Sequence, residues 1–586
     1  MKNKILSYLK LIVLFSFMFG QAQLVSTNSE LNTAINNATA GTTITLANGT
    51  WTNVQMTIQK TGTLSNPITI QAQTSGNVFL TGNCFVKMGG QYIVLKGVVF
   101  QNPPASPTTI NTNNPLIDFR ASNDCNNCTV TNIKVDAFNA LGKETNTYKW
   151  ILLRGANNEV SYSSFIGKNG VGSIINDNRS STIANYHKIH HNYFADRTPV
   201  GVVNDLNDQD AIRIGSSSTS LSDSFTEVYD NYFYNFVGEV EVISNKSGSN
   251  KYYNNTFENY SGALTLRHGD NCEVFNNFFL ANGQSFSGGI RMMGENHKIY
   301  NNYIEGTRAK YPNNSNTNGL AGINIHNGIL NSPLNGYYQV KNAIIVNNTF
   351  VDCDLGIRVG ATFSVGTQNQ PPQDVIIGNN IMYESTNRAI QVTTQLIGAF
   401  SKYENNIKQN GTFDSFGSIS ATGNINVSSG LLASGTDFYN IVTGSAAIDY
   451  GLGSYTFLND DIIGGARSVN FDAGAEEFNG GGSGRPYKQS DLGVIVGFGG
   501  SPALSVKGTI FTQNRLKVFP NPAEGDYLNI SLEKENIGQV EIIDMLGRTV
   551  IKKFIDSYEG QVNIRNMTAG TFILRVQSIS KMIVVQ

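Results

Sequence analysis

Six short stretches in the middle of the chain repeat one pattern, an aromatic or aliphatic residue, a polar residue, Asn, and two strand-forming residues. They are Ile189-His-His-Asn-Tyr-Phe194, Tyr229-Asp-Asn-Tyr-Phe233, Tyr253-Asn-Asn-Thr-Phe257, Phe275-Asn-Asn-Phe-Phe279, Tyr300-Asn-Asn-Tyr-Ile304 and Val346-Asn-Asn-Thr-Phe350. The shared Asn falls at 192, 231, 255, 277, 302 and 348, so the steps are 39, 24, 22, 25 and 46. Three steps lie near about 23 residues, the longest is two such units, and the 39-residue step is one unit with an insertion. Strand-like units of this length, each marked by Asn, predict a β-solenoid; ankyrin and leucine-rich repeats differ in both period and composition. The expected architecture is all-β, a right-handed parallel β-helix. Its aromatic and aliphatic residues stack inside, and an Asn at each corner bonds the backbone of neighbouring coils. Ile68-Thr-Ile70, Tyr92-Ile-Val-Leu95, Val130-Thr-Asn-Ile133 and Trp150-Ile-Leu-Leu153 fit earlier, less regular coils, and after Asn380 strands continue but the period is lost.

The ends of the chain read differently. Residues 1–22 resemble a cleaved export signal: Lys2 and Lys4 precede the apolar run Leu11–Phe19, and Ala22 supplies a small residue before Gln23. The solenoid is expected over 23–479, closed by a cap that includes Asn459–Arg467 and Phe471–Phe478. Gly480-Gly-Gly-Ser-Gly484 opens a linker over 480–514. From 515 to 586 short alternating strands predict a small C-terminal β-sandwich. Cys125 and Cys128 have the spacing for one local disulfide but lack the second pair that a zinc site needs. The net charge of −2 argues for neither nucleic acid nor an acidic polymer as a partner, so an anionic partner must be met by a local patch.

Such a patch is written into residues 238–269. Charged residues are 14% of the chain, yet Glu239, Glu241, Lys246 and Arg267 crowd into this span. The alternation Glu239-Val-Glu241-Val-Ile243 is expected to place both carboxylates on one strand face, where they repel unless a cation lies between them. Arg267 follows Lys246 by 21 residues, close to one coil, and Arg291 follows Arg267 by 24. Asn207 precedes Glu239 by 32, one coil plus a loop for which Ser216–Ser222 is the natural place. Asn207, Glu239 and Glu241 could then supply oxygens to one hard cation, and oxygen ligands favour Ca2+ over zinc. A cation, a lysine and several arginines on one wall suit an acidic polysaccharide. β-Elimination at a uronate needs its carboxylate neutralised, its C5 proton taken by a base, and the departing glycosidic oxygen protonated. Arg267 is an unusual acid on pKa grounds, which points to an electrostatic role with water delivering the proton.

Together Asn207–Gly215, Gly238–Ser247, Leu264-Thr-Leu-Arg-His-Gly269 and Gly289-Ile-Arg-Met-Met-Gly-Glu-Asn-His297 resemble polysaccharide lyase family 6, which holds alginate lyases and chondroitinase B. The resemblance implies a parallel β-helix and Ca2+ bound by Asn207, Glu239 and Glu241, with Asp208 or Asp210 able to share. It also implies Lys246 as base and Arg267 as acid, while Arg213, His268 and Arg291 are the substrate-binding candidates. The segment from Leu516 resembles the C-terminal sorting domain of the type IX secretion system of Bacteroidetes, in Val518-Phe-Pro-Asn-Pro522, the turn at Leu546-Gly-Arg548 and Ala569-Gly-Thr-Phe-Ile-Leu-Arg-Val576. The expectation is therefore a secreted or cell-surface enzyme, exported through the periplasm to that machinery, that cleaves alginate. Dermatan sulfate is the alternative substrate. A solenoid glycoside hydrolase using Asp205, Asp208 and Asp210, or a non-catalytic glycan-binding adhesin, are the rival readings.

Overall fold

The computed structural model describes residues 22–104, 115–142, 144–202, 206–310, 320–363, 366–499, 516–523, 525–532, 536–544, 548–576 and 579–585. The export-signal expectation (all but Ala22), Asn204–Asp205 and the turn residues Leu546-Gly547 lie outside them. Residues 1–505 and 506–586 form two compact units.

The first unit is a right-handed parallel β-helix. Three long sheets of 15, 14 and 14 strands pair strand by strand with the coil before and the coil after. One helix, Asn28–Asn37, lies at the N-terminal end. Thr27 accepts from the amide of Glu30, whose carboxylate accepts from the amide of Ser26, and Leu31, Ala34 and Ile35 are buried.

The paired asparagines do two different jobs. The first of each pair, among them Asn254, Asn276, Asn301, Asn347, Asn379 and Asn405, sits at φ 51–55°, a left-handed conformation that Asn tolerates better than most side chains. The second is buried and forms a ladder. Both the backbone N and Nδ2 of Asn255 donate to Asn277 Oδ1, each at 3.0 Å, and those of Asn277 donate to Asn302 Oδ1 at 3.2 and 2.9 Å. The same pattern runs from Asn192 through Asn231 to Asn302, then through Asn348, Asn380 and Asn406 to Asn424. The period therefore survives past Asn380, where the sequence suggested that it lapses. Inside, the rings of Phe165, Phe194, Phe233, Phe257 and Phe279 stack at 4.5–5.2 Å. His187 and His297 act as structural pegs rather than ligands: each Nδ1 accepts from a backbone amide one coil back, that of Asn158 and that of Cys272.

The segment after the last coil is more than an end cap. It returns along the corner that carries the asparagine pairs. Asn405, Asn379, Asn347 and Asn301 donate through Nδ2 to the carbonyls of Tyr450, Leu452, Asp472 and Asp460. Residues 485–498, expected in the linker, continue this brace. Tyr487 Oη donates to Asp230 at 2.9 Å, its amide donates to Thr256 Oγ1 at 2.8 Å, and the amides of Gly493 and Val494 reach His191 O and Ser164 Oγ. Cys125 and Cys128 form a disulfide. The second unit has two antiparallel sheets. One holds Leu516–Phe519, Tyr527–Leu532 and Glu559–Asn563; the other holds Thr549–Ile555, Gly538–Asp544, Gly570–Val576 and Ile579–Val585. They share a core that includes Leu528, Ile542 and Leu574, the expected small β-sandwich.

Asn277→Ala should cost about 3 kcal/mol in denaturant unfolding, because it strands buried amides and carbonyls on two neighbouring coils. An unchanged unfolding midpoint would remove the ladder from its central place.

Candidate active site

One column of outward side chains ascends the sheet that contains Glu241–Lys246. Arg213, Ser244, Thr265, Arg291, Asn324, Arg358 and Gln391 stand in register, one per coil. Arg291 thus stacks on Thr265, not on Arg267. That pairing carries its own register shift between Gly262 and Leu264, and a second shift lies in the pair Glu241–Lys246 and Gly262–His268. Asn245 faces Leu266 but Lys246 faces His268, so Arg267 is the extra residue of a bulge. Asn245 pins it from inside: its Nδ2 donates to His268 O at 2.8 Å and to Ser247 O, and its Oδ1 accepts from Asn250 and Tyr252, each at 2.7 Å. Gly269 closes the turn at φ 86°, where a Cβ would fall 2.2 Å from the Ser247 carbonyl carbon.

A second irregularity separates the glutamates. The strand begins at Glu241, and Glu239 lies in the bend before it, so the two do not share a strand face as the alternation suggested. Both are nonetheless buried. Glu239 Oε1 accepts from the Gln209 amide at 2.7 Å, and burial, then Asp210 and Glu241, push its carboxyl up to about 8. Glu241 accepts from Arg291 Nη1 at 3.1 Å. Burial opposes its ionisation, but Arg291, Lys246 and Arg267 outweigh that and hold it below the usual carboxylate range.

The remaining candidates divide between open and committed groups. Arg213 is clamped between Asp208 at 2.5 Å and Asp210 at 2.6 Å, so its charge is spent on carboxylates rather than offered to a substrate. His268 is 2% exposed, with Nε2 3.1 Å from Arg267 Nη1; burial and then Arg267 and Lys246 push it down to about 4, so it orients Arg267 as a neutral ring. Arg291 is 3% exposed and donates Nε to His326. Asn207 is exposed, two residues before the Gln209 amide that meets Glu239.

Among the described residues no three His, Cys, Asp or Glu side chains converge as a metal cluster by themselves. The donor set fits a hard cation in another way: two buried carboxylates and a nearby amide, with Asp210 bearing on Glu239 and its own buried Oδ1 lacking a hydrogen-bond partner. Sequence reasoning missed Tyr337, which lies in the loop after the strand Ile323–His326 with its ring 4.1 Å from the Arg267 guanidinium. No coil period marks that loop.

The family model described as Chondroitinase B matches residues 25–439, and that of the secretion system C-terminal sorting domain matches 517–586. The solved PL6 family alginate lyase AlyGC is 30% identical over 72% of this chain and 56% of its own, with a TM-score of 0.63. A mutant of that enzyme aligns at 28% identity over 83% of this chain and 60% of its own, with a TM-score of 0.65. The chain therefore spans less than two thirds of the length of those two relatives. A mannuronic acid specific family 6 lyase from human gut microbiota shares the fold at 24% identity, over 70% of this chain and 92% of its own, with a TM-score of 0.57. No curated protein matches.

Arg291→Ala should cost about 3 kcal/mol of stability, because it leaves Glu241 buried without its partner. Arg267→Ala, which frees two loop carbonyls to water, should cost much less. Equal unfolding midpoints for the two variants would refute this division of labour.

Proposed function

The chain belongs to the chondroitinase B family of polysaccharide lyases, and we propose that it cleaves alginate by β-elimination at uronate residues, leaving a 4,5-unsaturated end. The observation that carries this reading is that Lys246 and Arg267, from adjacent strands, both bear on the buried Glu241 carboxylate. A hydrolase would need a free acid and a base of carboxylate type, yet Asp208 and Asp210 are tied to Arg213. An adhesin would have no use for a lysine held in register beside a buried carboxylate pair.

In this mechanism the Lys246 amine takes the C5 proton and Arg267 faces the departing oxygen. Arg291 is buried against Glu241 and holds that carboxylate in place, and the Arg267 guanidinium lies beside it. Glu239, Glu241 and Asn207 would hold Ca2+, with Asp210 next to them. When bound, Ca2+ neutralises the substrate carboxylate and so makes the C5 proton more acidic. Alginate is favoured over dermatan sulfate on the electrostatics of the wall. With Arg213 clamped, the remaining cations match successive carboxylates better than a polymer that also carries sulfate. The AlyGC similarity points the same way; the name of the matching family model is what favours dermatan sulfate as the second reading. The sorting domain assigns the chain to secretion or the cell surface. We propose that it reaches the type IX machinery through the periplasm.

The deciding experiment follows UV-absorbing unsaturated product on alginate and dermatan sulfate in parallel. Alginate should be the faster substrate, and Lys246→Ala should lose at least about 100-fold in rate while unfolding at the parent midpoint. Faster elimination on dermatan sulfate would reverse the substrate assignment, and a folded Lys246→Ala chain with parent-like turnover would end the assignment of the base. Calorimetric titration with Ca2+ should show one site, weakened at least about tenfold in Glu239→Gln. No binding heat in the parent chain would dismiss the cation.

A further inference from the structure

The guanidinium fork of Arg267 is occupied by the protein's own backbone. Nη1 donates to the Gly336 carbonyl and Nη2 to the Asn335 carbonyl, the latter at 3.1 Å, and the Tyr337 ring lies on the guanidinium at 4.1 Å. Arg291 Nη2 donates to Tyr337 Oη at 3.3 Å. All three acceptors belong to the loop after the strand Ile323–His326. That loop is fastened at its base. Gly328 and Gln370 exchange backbone bonds at 2.8 and 2.9 Å, Gln368 Nε2 donates to Asn327 O, and Gln339 Nε2 donates to Pro371 O at 2.7 Å. Gly328 is required there, because a Cβ would fall 2.4 Å from Gln339 Cα. Beyond the base, residues 329–337 bond to themselves. The Ile329 amide donates to Tyr337 O at 2.8 Å and the Gly336 amide to Pro333 O at 2.7 Å. Leu330 and Leu334 at the tip are 64% and 40% exposed. Among the described residues, the hydrogen bonds that tie residues 329–337 to the rest of the chain go to Arg267, His268 and Arg291.

Two neutral carbonyls fill the fork that an acidic polymer would have to meet. A carboxylate is the stronger acceptor for a guanidinium, since a charge-assisted bidentate pair outweighs hydrogen bonds to neutral oxygens. A uronate polymer therefore competes for the same Nη groups with an advantage. A difference in affinity of that kind is what moves a closed form to an open one. We propose that residues 329–337 form a lid, latched in this structure on Arg267 and Arg291, which an incoming uronate polymer displaces about the anchored base. This rests on the lyase reading above and leaves the roles of Lys246 and Arg267 as given there. The Ile329 and Gly336 bonds keep the lid folded while it is released, and the Gly328–Gln370 pair stays behind as the fixed end of the hinge. Opening then breaks contacts to two arginines and one histidine of the wall and none in the solenoid core.

The five cysteines of the chain are either buried or joined in the Cys125–Cys128 disulfide, so Leu334→Cys supplies one exposed thiol for a fluorophore at the tip of the lid. The full chain also carries Lys246→Ala, which keeps the polymer intact. At saturating oligoalginate the anisotropy of the label should fall by at least about one third, because a released loop reorients within nanoseconds while the solenoid does not. Arg267→Ala, with no ligand present, should give a fall of the same size, since the latch is then missing. Unchanged anisotropy in a chain that shows clear binding heat with oligoalginate would overturn the lid. An Arg267→Ala chain whose label stays as restrained as before would overturn it too. If oligoalginate gives no binding heat and the parent chain makes no unsaturated product from alginate, the lyase reading falls and the lid falls with it; the missing heat tells that failure from the first.

Discussion

The buried asparagine ladder sets the vertical spacing of the solenoid. Each rung spends its backbone N–H and its side-chain N–H on the side-chain Oδ1 of the next Asn, so a coil cannot slip against its neighbour without stranding two buried donors. Sequence length between rungs is then free to vary. The steps from Asn255 to Asn277 and from Asn302 to Asn348 differ twofold, yet both are bridged by the same pair of bonds. Extra residues leave as loops, and the loop that carries Tyr337 is one of them. A rigid column with variable loops lets functional groups accumulate without disturbing the core.

Against that regular column the site depends on one deliberate irregularity. In a perfect ladder, Lys246 would face Arg267, and every second side chain would point inward. The shift between Asn245 and Lys246 makes Arg267 supernumerary, so that Lys246 pairs with His268 while Leu266 stays in the core. The cost of the broken pairing is met by Asn245, which satisfies the carbonyls of Ser247 and His268 that the bulge leaves over. Electrostatic balance follows from the same crowding. Asp208 and Asp210 are held by Arg213, and Glu241 by Arg291, while Glu239 is left the least compensated of the carboxylates and is the one whose ionisation is most disfavoured.

What the sequence made legible tracks what is periodic. The corner asparagines announce themselves because their spacing recurs, and Glu239, Glu241, Lys246 and Arg267 stand out as charges in a chain poor in them. Past Asn380 the ladder continues at Asn406 and Asn424, but the aromatic residues that accompany earlier rungs give way to Ile407 and Ile425, so the visible signal fades while the hydrogen bonds persist. Counting residues misplaces Arg291 against Arg267 because a bulge adds a residue that no count reveals. The clamp on Arg213 is equally hidden: Asp208 and Asp210 are two residues apart in sequence, but only the fold turns both towards one guanidinium. Tyr337 and the brace belong to loops and returning segments, whose contacts join residues with no shared period.

The brace keeps to one side of the coil, away from the charged sheet. Its bonds run to Asn405, Asn379, Asn347 and Asn301, then to Asp230, Thr256, His191 and Ser164, all at the corner between the first two strands of each coil or on the strand that follows it. Arg291, Lys246 and Arg267 belong to the third strand of the coil. Stacked coils gain little from side-to-side contact, so a solenoid is held mainly through its nearest-neighbour interfaces. A segment that spans many coils adds bonds that must break together if any one coil is to open. Placing those bonds on the asparagine corner spends the outward φ-positive residues and keeps the brace off the third sheet, which carries Lys246, Arg267 and Arg291. The acidic polymer proposed above would need its cations on one face of the coil, and the molecule gathers its structural fastenings on one side and Lys246, Arg267 and Arg291 on another.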